Sequence, residues 1–394
     1  SKAPAISTLS PADNAIRVST GANLVITFDE NVSVNAGNLV IYTNTGSVFE
    51  TIDITSGQII TNGTTELTID PSSYITSGTG YYVQIDAGAI QDTEGNSFAG
   101  ITDSTTWNFN TIQTNLRTCA DLQNMKNELD GDYTILQAID CDVAPYNIGS
   151  GFSPIGNNSN KFTGSLDGNE FVITGLFIDR SSTDYVGLFG SMSSAIISNL
   201  GITNINITGD EYVGGISGYS INGSISNVYT TGTIESFQIT GGLVGENKTN
   251  ISNSYSTVNI TAHTNAGGLL GWNQNAVTDS YATGNVTTNS GIAGGLIGAN
   301  YGSAITNTYA IGSITSNANS AGGLVGFLNN GSVVDSFATG NATQEGSGQQ
   351  GGLVGWDLFG TIDNGYWHNH ANNPDECYEG GDDECTAIAN DVSW

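Results

Sequence analysis

A pentapeptide that begins with two glycines returns through the second half of the chain at nearly constant spacing. Its six copies are separated by 27, 26, 27, 28 and 29 residues, and a degenerate earlier copy lies at Val186–Gly190. A fixed period of this size is typical of a solenoid, in which each repeat buries its apolar side only against its neighbours. The six copies begin at Gly214, Gly241, Gly267, Gly294, Gly322 and Gly351.

The residues between the glycine pairs keep the same register. Each pair is followed, about a dozen positions on, by Asn or Asp, then by an aromatic residue, then by a short alternating segment rich in Thr, Val and Ile. Such alternation predicts strand rather than helix. We therefore predict a β-solenoid with about three short strands per coil and coils roughly 4.8 Å apart. The glycine pairs would allow neighbouring backbones to approach closely, and the Leu or Ile between them would fill the lumen.

The composition excludes several classes of function. Seven Lys and Arg stand against 37 Asp and Glu, which gives a formal net charge of −30 in a chain of 394 residues. A nucleic-acid binder is excluded because neutralising phosphates requires Lys and Arg, and docking on anionic lipid is disfavoured for the same reason. We expect no membrane insertion, since the chain contains no apolar run of 18 residues. The acidic balance favours attraction of cations such as Ca²⁺.

Four cysteines fall into two close pairs, Cys119 with Cys141 and Cys377 with Cys385. Close pairs of this kind favour two local disulfides in an oxidising compartment. The other two connectivities remain open from the sequence. We expect an extracellular or cell-surface, secreted protein.

Residues 1–112 lack the repeat and carry short strand-like runs at the spacing of a β-sandwich. They resemble the bacterial Ig-like domain of S-layer proteins and surface adhesins, a resemblance that implies a spacer or stalk module. The matching segments follow one another in the expected order: Ser10–Asn14, Ile26–Glu30, Ile69–Pro71, Tyr81–Val83, Asp92–Asn96 and Trp107–Phe109.

After a linker at 113–117, residues 118–129 predict the one convincing helix. Thr118 and Asp121 suit a capping box, while Leu122, Met125 and Leu129 form one apolar stripe. We expect this helix to cover the first coil of a solenoid that extends over 118–370. Residues 371–394 would form an acidic, disulfide-closed cap at the other end.

The leader from Leu122 to Leu176 and the coils after it resemble the GLUG-repeat family of large bacterial and archaeal surface proteins. The coils carry Gly-Gly-Leu-Val-Gly together with segments such as Ile251–Tyr255 and Thr283–Val286. The resemblance covers about 118–367 and implies the solenoid fold, but the family implies no single chemistry. The whole chain is therefore expected to be all-β, an Ig-like β-sandwich followed by a β-solenoid with one short capping helix.

The Asn/Asp position of the repeat offers a catalytic hypothesis, because Asp279 and Asp335 occupy it. Two coils would separate them by about 9.6 Å, loosely like the carboxylates of an inverting glycosidase. The alternative is a structural ladder whose side chains satisfy turn backbone. We favour the ladder, because the coils after Arg180 hold only one basic residue, Lys248. The column comprises Asn199, Asn227, Asn253, Asp279, Asn307, Asp335 and Asn364.

The aromatic position is either a platform for stacking sugars or a packed ladder in the solenoid wall, and we favour the ladder. It comprises Tyr229, Tyr255, Tyr281, Tyr309, Phe337 and Tyr366. Trp272, Trp356 and Trp367 are better candidates for exposed carbohydrate contacts.

A column of small hydroxyl and amide side chains is the boldest predicted surface feature. Such a flat array could bind polysaccharide or ice, or could simply reflect β-propensity and solubility. Ile311 and the variable repeat length argue against an ice lattice. The candidate ligand residues are Thr231, Thr233, Thr257, Asn259, Thr283 and Asn285, followed by Ile311, Ser313, Thr339 and Asn341.

Histidines and acidic residues are the candidate metal ligands. His368 and His370 lack an evident third ligand, and His263 lies about four coils earlier. Acidic residues near the C-terminus are better ligands for calcium, the one cofactor we consider: Asp375, Glu376, Glu379, Asp382, Asp383 and Glu384. Asp92, Glu94 and Asn96 form a weaker candidate.

We expect a non-catalytic adhesin or structural display module whose partner is a polysaccharide, another cell-surface ligand or copies of itself. Three alternatives remain: a filament subunit that assembles through solenoid ends or an exchanged strand, a polysaccharide-cleaving β-helix enzyme, and an ice-binding solenoid.

Overall fold

The computed structural model describes residues 2–61, 65–112, 114–368, 377–378 and 385–388. The chain divides into two compact units, Ser1–Asn115 and Leu116–Trp394. The helices in the described part are one short α-helix and one 3-10 turn, so the protein is all-β as the sequence predicts. None of the described helices is long and apolar enough to cross a bilayer.

The first unit is built mainly from antiparallel strand pairs, but the strands Ala15–Val18 and Asn108–Thr111 pair in parallel. Buried and half-buried residues alternate along its strands, as in Leu24–Phe28. A four-stranded sheet has the order β1-β3-β8-β7, and a five-stranded sheet has the order β2-β11-β9-β5-β6. Apolar side chains from both sheets share one core around the fully buried Trp107. The strands are β1 Ile6–Ser10, β2 Ala15–Val18, β3 Leu24–Phe28, β4 Val32–Val34, β5 Asn38–Thr43, β6 Val48–Asp53, β7 Ile59–Thr61, β8 Glu66–Ile69, β9 Gly80–Ile85, β10 Ile90–Asp92 and β11 Asn108–Thr111.

The second unit is a parallel β-solenoid in which successive coils pair, with local register shifts between Ile202 and Ile205 and between Ile221 and Ser224. The coil that begins at Ala266 contains five short strands, so the expectation of about three was wrong. The first glycine of each pair and the residue before it form a two-residue strand, and these strands make a separate six-stranded sheet. The Leu within each motif is fully buried, as Leu269 and Leu296 illustrate.

The strands of the solenoid, in chain order, are Asn115–Leu116, Asp132–Ile135, Ile139–Asp140, Ser165–Asp167, Val172–Thr174, Phe177–Asp179, Phe189–Ser193, Ile196–Gly209, Val213–Gly214, Ser217–Ser236, Thr240–Gly241, Val244–Ser252, Tyr255–Ser256, Asn259–Ala262, Ala266–Gly267, Leu270–Asn273, Val277–Thr278, Tyr281–Ala282, Val286–Thr288, Ala293–Gly294, Ile297–Tyr301, Ala304–Thr306, Tyr309–Ala310, Ile314–Ser316, Ala321–Gly322, Val325–Asn329, Ser332–Ala338, Ala342–Gln344, Gln350–Gly351, Val354–Leu358, Thr361–His368 and Cys385–Ile388.

The second glycine of each pair is required by close approach between coils. A Cβ placed on Gly268 would overlap the carbonyl oxygen of Gly295, and one on Gly295 would overlap that of Gly323. No side chain can be accommodated there without moving the backbone. Glycine is therefore required at this position by the neighbouring backbone and not by an unusual backbone conformation of its own.

The N-terminal end of the solenoid carries the predicted helix in a shorter form. The α-helix, Cys119–Asn124, has a complete capping box between Thr118 and Asp121 and passes into a 3-10 helix, Met125–Asn127. The predicted end at residue 129 was too late, because the chain tightens into the 3-10 turn at Met125. Leu122 and Met125 are buried in the solenoid core, and Leu129 packs against it.

Both local disulfides are present, Cys119–Cys141 and Cys377–Cys385. Cys377 accepts backbone hydrogen bonds from Leu353 and Val354, as the next coil would. The strand Cys385–Ile388 pairs with the strand Thr361–His368. The described part of the C-terminal segment is thus a truncated further coil.

We predict that Gly295→Ala lowers the free energy of unfolding of the solenoid by about 1–3 kcal/mol, as overpacking typically does. Gly302→Asn is the control, since Gly302 has a positive φ that Asn tolerates and an open environment. Denaturant unfolding of both variants tests this. Equal stability of Gly295→Ala and the parent chain would contradict the close-approach argument.

We predict that Met125→Asp uncovers the first coil, because a carboxylate cannot stay in that apolar site. Amide exchange at residues 119–140 should accelerate ahead of the central coils, and end-to-end association should appear in sedimentation experiments. Lys126→Asp, on the exposed side of the same turn, should have neither effect. If the central coils opened first, the helix would not act as a cap.

Candidate functional site

The Asn/Asp column occupies a left-handed turn in every coil, with φ of 55° at Asn227 and 50° at Asp279. Asn and Asp tolerate this conformation better than most residues. The side chains also bond along the axis: Asn307 donates to the carboxylate of Asp279, and Asn364 Nδ2 donates to Asp335 Oδ1 at 2.9 Å. Both carboxylates act as rungs of a ladder, in agreement with the structural interpretation.

The aromatic column is a stack of parallel rings in the solenoid wall. Successive centroids from Tyr229 to Phe337 are 4.9, 4.7, 4.6 and 5.0 Å apart, and the planes differ by at most 5°. Burial raises the pKa of Tyr255, Tyr281 and Tyr309 above the ordinary value of tyrosine. The interior rings therefore serve packing, as favoured from the sequence.

The aromatic column begins at Tyr229. In the preceding coil the equivalent position, which pairs with Tyr229, is occupied by Gly201. Beside this gap lies a cleft of about 200 Å³. Sequence reasoning missed this cleft, although a glycine at an aromatic position was a visible signal. Its lining residues are Glu170, Asn199, Leu200, Gly201, Asn227 and Tyr229.

The predicted Thr/Asn column is present but partly engaged within the protein. Thr233 and Asn259 are paired and exposed. Asn259 Oδ1 accepts the backbone N–H of Asn285 at 3.0 Å, and Asn285 Oδ1 accepts that of Ser313 at 2.9 Å. Thr231, Thr257 and Thr283 are half-buried along the same face.

A second column, which sequence reasoning missed, runs beside the first on the same strands. Its threonines pair in register from coil to coil and are exposed or half-buried. The two columns together form one polar face, which we call the Thr/Asn face. The added threonines are Thr261, Thr287, Thr315 and Thr343.

Two of the candidate tryptophans, Trp272 and Trp356, lie elsewhere, in strands that directly follow a glycine pair. Trp272 and Trp356 share one register column with Phe327. Trp356 is 36% exposed and its ring centroid lies 4.7 Å from that of Phe327. The indole nitrogen of Trp272 is buried without a hydrogen-bond partner. Trp367 is buried and fills the lumen, so its expected exposure was wrong.

Two of the seven basic residues approach one aromatic ring near the start of this column. The Nζ atoms of Lys161 and Lys248 lie 5.9 and 5.3 Å from the Tyr219 centroid. Lys248 is also 2.9 Å from Glu246 Oε1. Burial is the largest single effect and lowers the pKa of Lys248, but the hydrogen bond and charge of Glu246, together with Tyr219, outweigh it, so the pKa is raised. Since Lys248 is already paired, its charge is not available as a free anion site.

The structure does not bring the candidate metal ligands His263 and His368 together. His263 stacks on Phe237 with centroids 4.6 Å apart, whereas His368 lies in the strand Thr361–His368, several coils away. His370 and the candidate calcium ligands Asp375, Glu376, Glu379, Asp382, Asp383 and Glu384 lie outside the described residues.

One acidic cluster lies in the first unit, where a ligand atom of each of Glu30, Asp92 and Glu94 falls within 4.8 Å of the others. Asn96 lies beside this cluster, and its Nδ2 donates to Asp92 Oδ2 at 2.6 Å. That hydrogen bond is the main cause that lowers the pKa of Asp92. Desolvation, followed by the charge of Asp92, raises the pKa of Glu30.

Comparisons with known proteins agree with this two-part architecture. Residues 1–111 match the bacterial Ig-like domain family, and residues 209–235 and 262–287 match the GLUG motif. The chain thus joins a bacterial Ig-like domain to a β-solenoid that carries GLUG motifs.

Two curated relatives and one solved structure are similar to parts of the chain. Halomucin of Haloquadratum walsbyi is 40% identical over 141 residues, 33% of this chain and 2% of the relative. A provisionally named Gly-rich membrane protein of Evansella cellulosilytica is 37% identical over 119 residues, 29% of this chain and 14% of the relative. The chain therefore spans only a small part of either relative.

The solved structure, provisionally assigned as an immunoglobulin A1 protease from Bacteroides ovatus, is 21% identical. It covers 63% of this chain and 85% of its own, with a TM-score of 0.44. The matched domains and the curated relatives fit a non-catalytic surface role.

We predict that Glu30→Gln raises the stability of the first unit at pH 7. A raised carboxyl pKa means that ionisation of Glu30 opposes folding, so its contribution is favourable below pH 4.5, the ordinary value, and is lost as the pH rises through the folded pKa. The gain should vanish at pH 3. Calorimetry of the whole chain, with the exposed Glu66→Gln as control, measures the difference. A lower melting temperature for Glu30→Gln at pH 7 would contradict repulsion within the cluster.

Proposed function

We propose that this chain is a non-catalytic module of a large extracellular surface protein. In it, the Ig-like domain is a spacer and the solenoid presents its Thr/Asn face to polysaccharide at the cell surface. The observation that carries the proposal is the continuity of that face. From Thr261 to Thr343, four successive coils place a threonine in the same position beside a second polar column.

The chemistry of this face suits a polymer of repeating hydroxyl groups. Hydroxyl side chains both donate and accept hydrogen bonds, and amide side chains do so through two different atoms. A flat array at the coil repeat of about 4.8 Å offers many weak contacts in a row. Such contacts add through multivalency when the ligand is also a repeating chain.

The use of the carboxylates supports a role without catalysis. Asp279 and Asp335 each accept a hydrogen bond from the amide of the following coil. A general acid needs a proton held near the substrate and a pKa suited to its release. The two carboxylates instead repeat a structural role that Asn plays in the other coils.

Two further observations support an extracellular setting. Both disulfides close terminal regions of the solenoid, and disulfides persist in oxidising compartments. The excess of acidic residues keeps such a surface soluble.

We expect the purified chain to bind extracellular polysaccharide through the Thr/Asn face. The double variant Thr287→Lys with Thr315→Lys should weaken binding at least about tenfold, since both side chains would project into the contact. The matched control, Thr278→Lys with Thr306→Lys, alters two equally half-buried threonines on another strand. Sedimentation with insoluble and soluble polysaccharides measures the difference.

The same samples test the catalytic alternative. New reducing ends that disappear in Asp279→Asn or Asp335→Asn would replace the proposal by a polysaccharide-cleaving enzyme. Equal loss of binding in both double variants would show that the Thr/Asn face is not the contact.

A further inference from the structure

The ring stack in the solenoid wall ends on one side at Tyr229, which is half-buried. Tyr255, Tyr281 and Tyr309 each stack between two rings. Tyr229 has one stacked ring partner in the described part of the chain, Tyr255. On its other side the preceding coil supplies Gly201 in place of a ring. The stack thus continues up to a position that the protein itself leaves without an aromatic group.

The ring of Tyr229 extends over Gly201, because a Cβ on Gly201 would overlap its Cζ and hydroxyl oxygen. Gly201 therefore leaves room for this ring, and the cleft lies beside it. The order of the coils places Val172 next to Gly201 and Gly201 next to Tyr229. The cleft of about 200 Å³ therefore spans three coils, with Glu170 and Tyr229 on the outer two and Gly201 between them.

The polar groups of the cleft retain unused hydrogen-bonding capacity. The exposed carboxylate of Glu170 makes no hydrogen bond with the described residues, nor does Asn227 Oδ1 accept one from them. Asn227 Nδ2 donates to Asn199 Oδ1 at 3.1 Å, and Asn199 Nδ2 donates to Asp167 Oδ1 at 3.1 Å. Each amide nitrogen carries a second hydrogen. A carboxylate acceptor, an amide acceptor and amide donors therefore surround one side of an aromatic ring.

We propose that this cleft is a binding site for a single neutral pyranose ring, stacked against Tyr229. The apolar C–H face of a pyranose packs on an aromatic ring, while its hydroxyls both donate and accept hydrogen bonds. Sites for drug-sized ligands measure roughly 300–1,000 Å³, so this smaller cleft suits one ring. The lining contains Glu170 and no Lys or Arg, which disfavours phosphate and acidic sugars.

A pyranose site would add a specific contact to the proposed polysaccharide binding, and its biological role rests on that proposed function. The site is separate from the Thr/Asn face, and free sugars test it without a polymer. The cleft would hold one unit of a chain whose neighbours extend along the solenoid, because the cleft is open to solvent.

The experiment is saturation-transfer NMR with methyl glycopyranosides of glucose, galactose and mannose on the full chain, followed by titration to obtain Kd. Tyr229→Ala should weaken binding about tenfold, the equivalent of about 1.4 kcal/mol. Tyr229→Phe keeps the ring and should bind within about threefold of the parent chain. Glu170→Ala removes an exposed side chain without disturbing the fold, and should weaken binding severalfold.

Tyr309→Ala is the matched control, because it removes an interior ring from the same stack and carries a similar structural cost. Its affinity for the sugars should equal that of the parent chain. The proposal is overturned if no neutral pyranoside binds, if Tyr309→Ala weakens binding as much as Tyr229→Ala, or if only cationic amino sugars bind. If the Thr287/Thr315 double variant loses polymer binding but still binds the pyranosides, the cleft is a binding site independent of the Thr/Asn face.

Discussion

Hydrogen bonds between the backbones of successive coils are the interaction on which the rest of this solenoid depends. Parallel strands pair from coil to coil between Phe189 and Trp367, with two local register shifts, so each position of the repeat lies beside its equivalent in the next coil. The spacing of about 4.8 Å is fixed by the backbone rather than by side chains. Every residue type along an axis column must therefore tolerate its own kind as a close neighbour.

Each column allows this close stacking through a different property of its side chains. Glycines of the pairs leave room for a neighbouring carbonyl oxygen, and Asn or Asp accept the left-handed turn while bonding to one another. Planar rings stack at close to the coil spacing. Buried asparagines in the interior also stack on their own kind. Asn247 Nδ2 donates to Asn273 Oδ1 at 2.8 Å, and Asn273 Nδ2 donates to Asn300 Oδ1 at 2.7 Å. Buried amides would be costly without such partners.

Both binding sites proposed above lie where a column is exposed or interrupted. The Thr/Asn face is exposed along several coils, and the ring stack is interrupted at Gly201. The ends of the solenoid are interruptions as well, and here the chain uses a helix with Met125 at one end and a shortened coil with Cys377 at the other. Such irregular positions are easy to recognise in a repeating fold, because the neighbouring coils show which residue normally occupies the position.

The sequence by itself determined the all-β class, the two-part division and the repeat columns, because period and register are properties of the chain. It also indicated the capping box at Thr118 and both disulfide pairings. Only the tertiary structure decided which side of the wall each column faces, how many strands form a coil, and that Trp367 is inside while Trp356 is partly outside. The cleft at Tyr229 and the acidic cluster at Glu30 bring together residues from different coils or strands. Their proximity arises from backbone pairing in three dimensions, which spacing along the chain does not reveal.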